Sequence, residues 1–139
     1  MNKHIFAGIV LGSLVVVCAQ TATPAATRES LVTGASASAT AAVVNVAAQD
    51  GTVSGVLVNK SDRTLRDIQL LIRHTWMWNN ERHPGASSPG RAEFYTLAGP
   101  VPPGASVPFT EHDVSPLPQR SDGHFTTSID VVSFMQVGE

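Results

Sequence analysis

Residues 67–78 constrain the fold most. Ile68, Leu70, Ile72, His74, Trp76 and Trp78 recur at every second position, with Gln69, Arg73 and Thr75 between them. A repeat of two puts the first set on one face of an extended strand and the second on the other, whereas a helix would scatter the apolar set around its circumference. The chain therefore contains a long, half-buried strand, and a half-buried strand requires a sheet around it and a second layer to cover its apolar face. Leu71 and Met77 on the opposite face predict partial cover there or a twist at the strand end.

The rest of the chain reads the same way. Residues 41–47 are rich in Ala and Val and run into Asp50-Gly51, a hairpin signal, after which residues 52–59 form the returning strand. Lys60-Ser61-Asp62-Arg63 is its polar turn. Residues 79–91 carry Pro84-Gly85 and Pro89-Gly90 and form the longest loop; residues 92–98 read as a strand, 99–104 as a Pro- and Gly-rich turn, and 106–110 as a short strand that Pro108 assigns to a sheet edge. A second polar loop, residues 111–123, is braced by Pro116 and Pro118. The last strand, residues 125–137, alternates Phe125, Thr127, Ile129, Val131, Ser133, Met135 and Val137 against its other face, and its C-terminal half is apolar enough on both faces for a central position. Six or seven such strands, with no helix expected after the N-terminal segment, predict an all-β antiparallel two-sheet sandwich, with an open barrel as the alternative.

The N-terminus reads as an export signal. Lys3 and His4 precede the apolar run 5–17, and Val17-Cys18-Ala19 offers a small-residue end, so cleavage is expected before Gln20. The run is shorter than the roughly 20 residues that cross a bilayer. Val15-Val16-Val17-Cys18 resembles a lipobox, but Val17 stands where Gly, Ala or Ser is required. Membrane contact is thus expected only if Cys18 is lipidated or the signal is retained. Residues 20–40, dominated by Ala, Ser and Thr, read as a flexible tether, and residues 41–139 as the domain. The expected location is periplasmic or secreted.

Charge and cysteine content narrow the function classes. The whole chain has formal charge −2, and loss of Lys3 with the signal makes it more negative, against the basic stripe a nucleic-acid binder needs. Cys18 is the sole cysteine and departs with a signal cut after it, which excludes thiol and disulfide chemistry in the mature chain.

One stretch resembles a known family. Gly51-Thr52-Val53-Ser54-Gly55-Val56-Leu57-Val58-Asn59, then Ser61-Asp62, then Leu65-Arg66-Asp67-Ile68, is similar to the opening of FxLYD-type Ig-like domains of bacterial envelope proteins. Pro102-Pro103-Gly104-Ala105-Ser106-Val107-Pro108-Phe109 resembles a later strand of the same domains. The eponymous motif is absent, Leu71-Ile72-Arg73-His74-Thr75-Trp76 standing in its place. The resemblance covers about half the mature chain and implies an Ig-like sandwich acting as a structural or interaction module without a catalytic site.

Candidate chemistry is confined to the loops. No Gly-x-Ser-x-Gly, His-Glu-x-x-His or phosphate-binding glycine loop is present, so no enzyme activity is expected. Glu81 and Glu111 are the one conceivable acid pair. Glu81, His83, Glu111, His112, Asp113, Asp122 and His124 are of metal-ligating type but match no compact metal spacing, and neither metal nor cofactor is expected. His74, on the apolar face, reads as a hydrogen-bonded core histidine. Trp76 and Trp78 lie about 6.6 Å apart on one face; with Phe94 and Tyr95 they suit either the core or a sugar-stacking platform, Trp78 being nearer the surface. Asn59-Lys60-Ser61 fits the glycan acceptor pattern at a position the strand end also explains. The reading that follows is a non-catalytic envelope module that binds a protein partner through loops 78–91 and 111–124, with Trp78, Glu81, Arg82, His83, His112 and His124 as the candidate contacts. The alternative is a binder of carbohydrate or metal.

Overall fold

A computed structural model describes residues 26–112 and 115–138. The signal segment 1–19, Cys18, the first part of the 20–40 stretch and Asp113 lie outside the described residues. Seven strands and one short helix follow in the order β1 (Arg28–Thr33), α1 (Gly34–Thr40), β2 (Ala41–Gln49), β3 (Thr52–Asn59), β4 (Thr64–Trp78), β5 (Arg91–Leu97), β6 (Ser106–His112) and β7 (Gly123–Gly138). They form an antiparallel sandwich with one sheet ordered β1-β7-β4-β5 and the other β2-β3-β6.

The hairpin expected at Asp50-Gly51 is present. Both residues have positive φ, 51° and 74°, the geometry that two-residue hairpins favour, and Gln49 pairs with Thr52 across it. In β3 every second residue is buried. One of them is Gly55, where a side chain would run into Val43 Cγ1 at 2.9 Å and Phe109 Cζ at 3.1 Å. β6, the strand with Pro108, lies at a sheet edge, and β7 lies between β1 and β4 as its two-sided apolarity requires.

β4 buries Ile68, Leu70, Ile72, His74 and Trp76 as the repeat of two predicts, and Trp78 is half-buried. The strand begins earlier than the pattern suggests. Leu65 is also buried, but Asp67 adopts φ 49° and the register with β7 shifts between Arg66 and Gln69, so the buried face changes parity. β7 answers with its own slip. Gln69 pairs with Ser133 and Leu70 with Val131, and beyond this point Phe134, rather than Ser133 or Met135, enters the core.

The flexible tether expected over 20–40 does not extend through residues 28–40, and a helix stands where none was expected. β1 pairs with β7 from Arg28↔Gly138 to Thr33↔Ser133, and α1 carries the chain to the other sheet, burying Ala37 completely. Both elements bury little side chain: β1 has one half-buried residue, and Leu31 is 64% exposed. Their composition therefore resembles a linker although backbone pairing holds them.

Asn59 closes the end of the sandwich opposite the β2–β3 turn. Its side chain is 0% exposed, and its amide hydrogens are shared among the carbonyls of Arg63 (2.7 Å), Pro102 (2.9 Å) and Val101 (3.1 Å). Its Oδ1 accepts from Ser61 N at 2.9 Å and Ser61 Oγ at 2.7 Å. The glycan acceptor pattern is thus a structural knot, in which Leu65 and Val101 also exchange backbone hydrogen bonds. Asn59→Ala leaves three carbonyls without that donor and is expected to cost about 3 kcal/mol. Urea denaturation should show a lower midpoint at unchanged slope; an unaltered midpoint would remove Asn59 from this role.

Candidate functional site

The β4–β7 ladder runs to the far end of the sandwich, where Trp76 pairs with Phe125, Met77 with His124 and Trp78 with Gly123. Asn79 extends it by donating its backbone N–H to Asp122 O (3.0 Å) and its side-chain amide to Ser121 O (3.0 Å). The loops on either side, residues 79–90 and 115–122, are brought side by side.

Arg120 joins them. Its guanidinium lies 5.4 Å from the Trp76 ring centre and 5.2 Å from that of Trp78, and it donates through Nη1 to Ser87 O (3.0 Å) in the opposite loop. It also grips Asp122 with two bonds, Nε to Oδ1 at 2.9 Å and Nη2 to Oδ2. This hydrogen bond holds the Asp122 carboxyl below its ordinary range and raises Arg120. Whatever stability the pair contributes is present above the ordinary aspartate range and declines as the pH falls from there through this lowered value. Arg91 adds a third tie, donating to Ser115 O.

Beneath the clamp the aromatic rings interlock. Trp76 meets Trp78 edge-on at 6.0 Å and Phe125 at 4.7 Å. Trp76 is only 6% exposed, and its indole Nε1 is buried with no hydrogen-bond partner among the described residues. Such unsatisfied donors are uncommon in folded proteins. The Trp76 ring forms part of the wall of a cleft of about 450 Å³, which the β2–β3 turn borders on one side and residues 116–120 on the other. His74 also reaches this wall. It is 2% exposed and shares a 2.9 Å hydrogen bond between Nδ1 and Thr127 Oγ1, as a core histidine would.

The candidate contacts fall into three groups. Trp78 packs under Arg120, against Gly85 of the 79–90 loop. Glu81, Arg82 and His83 form one exposed tip, shaped by Arg82 N donating to Asn80 Oδ1 (3.1 Å) and His83 N to Asn80 O (3.2 Å). His124 is exposed at the cleft wall, while His112, at the end of β6, pairs with Thr52 and lies 3.3 Å from its hydroxyl. No group of three His, Cys, Asp or Glu that could hold a metal occurs among the described residues. The suggested aromatic platform is not assembled. Tyr95 stacks on Phe109 at 5.8 Å, in register with Leu70 well down the strand, and Phe94 faces solvent.

Sequence reasoning missed Arg120, Asn79 and Gly123. The available signal was a lone Arg at the close of one loop, ahead of a strand whose start pairs with a tryptophan end. Among known proteins, no family model, no curated sequence and no solved structure matches this chain.

Gly123 sets how tightly this end closes. A Cβ there would lie 2.3 Å from Met77 O and 2.6 Å from two atoms of the Trp76 ring, whereas one at Gly99 meets nothing within 4 Å. Gly123→Ala is expected to cost about 2 kcal/mol and alter tryptophan fluorescence, with Gly99→Ala near neutral. Equal melting temperatures for the two variants would contradict this packing.

Proposed function

We propose that this chain is a non-catalytic binding module exported to the bacterial periplasm or surface, holding a protein partner with the end of the sandwich where its two long loops meet. The observation that carries this reading is the Arg120 clamp. It pins residues 79–90 and 115–122 over one aromatic base, so the exposed Glu81, Arg82 and His83 project from a supported surface. A surface held in place before binding loses less entropy on complex formation than a mobile loop does. The FxLYD-type resemblance points the same way, towards an envelope interaction module.

The alternative, a carbohydrate or metal binder, draws support from the cleft beside Trp76. Stacking of a sugar is disfavoured, because Trp76 is buried and Arg120 lies over both indole rings. A protein partner fits the exposed, charged tip better.

A photo-crosslinking residue placed at His83 in the native host should give an adduct of defined mass, while one at Lys60, at the opposite end, gives none. Replacing Glu81, Arg82 and His83 together with Ala should leave the melting temperature unchanged and abolish the adduct when the crosslinker is placed at Ala86. An adduct that survives the triple replacement would rule this surface out.

A further inference from the structure

Strand edges in this sandwich differ in how they are guarded. β6 carries Pro108, β5 carries Arg91 and Glu93, and β1 carries Arg28 and Glu29, all devices that discourage edge pairing. β7 is different. Residues 133–138 are covered by β1, but among the described residues 123–131 pair with β4 alone, leaving the other side of the strand without a ladder partner. This open stretch holds no proline or lysine, and its one acid, Asp130, is paired with Arg73 at 3.4 Å.

A groove lies beside the first part of this open edge. It has a volume of about 220 Å³ and is walled by Val46 and Ala48 of β2, Phe125 and Thr127 of β7, and Leu117. It shares Ala48, Leu117 and Phe125 with the larger cleft, which Trp76 also lines. β2 is itself an edge strand, bonded only to β3. The groove is therefore flanked by two strand edges and lined by small and apolar side chains without charge.

We infer that this groove receives an extended, uncharged segment of the protein partner, added as a strand to residues 123–131 of β7. The inference rests on the protein-partner reading above and names how that partner is held. Unpaired backbone N–H and C=O groups are matched most completely by another extended backbone, which supplies both at the same spacing. The alternation of side chains along an added strand places every second residue against Val46, Phe125 and Leu117, so these positions of the partner are apolar.

The test pans the folded chain against a library of random peptides of about twelve residues, long enough to span an average strand, followed by isotope-filtered NMR on the tightest binder. Alternating apolar sequences should be enriched, with cross-strand contacts to residues 123–131. Ala48→Lys, at an exposed position with no packing to lose, and Val46→Lys should each weaken binding about tenfold by setting a charge in the groove. The Glu81, Arg82 and His83 triple replacement should leave peptide affinity unchanged. No enrichment, contacts confined to residues 79–90, or edge-to-edge pairing of two copies of this chain would overturn the inference while leaving the loop surface standing. Peptide binding at β7 together with an unchanged crosslink in the triple variant would instead overturn the loop surface and keep the edge.

Discussion

The pairing of β4 with β7 is the interaction on which the rest of this structure depends. It runs from Thr64↔Val137 to Trp78↔Gly123, spanning the sandwich from end to end. One face of the ladder supplies Leu70, Ile72, Ile129 and Val131 to the core. Its upper end delivers Trp76 onto Phe125 and fixes where two long loops leave the sheet. With the loop roots held in register, a single Arg120 can reach both tryptophans and the opposite loop. A looser ladder would spread those partners beyond the reach of one side chain.

The lower end is closed differently. There the chain turns between sheets, and backbone groups that leave a ladder need other partners. Asn59 provides them for the carbonyls of Arg63, Val101 and Pro102 while its own oxygen is satisfied by Ser61. β1 and α1 complete this end by running beside β7 and crossing to β2. Because β1 stops at Thr33, it also defines where the ladder on that side of β7 ends.

Much of this was legible from residue patterning, for reasons that differ by element. β3 matches its expected bounds of 52–59 because the hairpin and the polar turn both punctuate it chemically, and the burial of β4 follows a repeat of two that no helix could share. What escaped was whatever bulges and backbone pairing decide. The backbone of Asp67 and the slip between Gln69↔Ser133 and Leu70↔Val131 shift strand phase without an apolar signal in the sequence, and β1 and α1 are held by ladder bonds and one buried Ala37 in a stretch with linker composition. At the site, the two loops and the exposed triad were readable from polarity. The clamp was not, because Arg120 meets its partners only after residues far apart in sequence have been folded together.

The two halves of β7 have different surroundings, and amide hydrogen exchange of the free protein measures that directly. Backbone N–H groups of successive strand residues point to opposite sides, so a strand paired on both sides is protected throughout and an edge only at alternate residues. The structure calls for slow exchange across residues 133–137 and an alternation of slow and fast amides across residues 124–131. Uniform protection along the whole strand would mean that this edge is already covered, and would contradict the account of β7 as the strand left open for a partner.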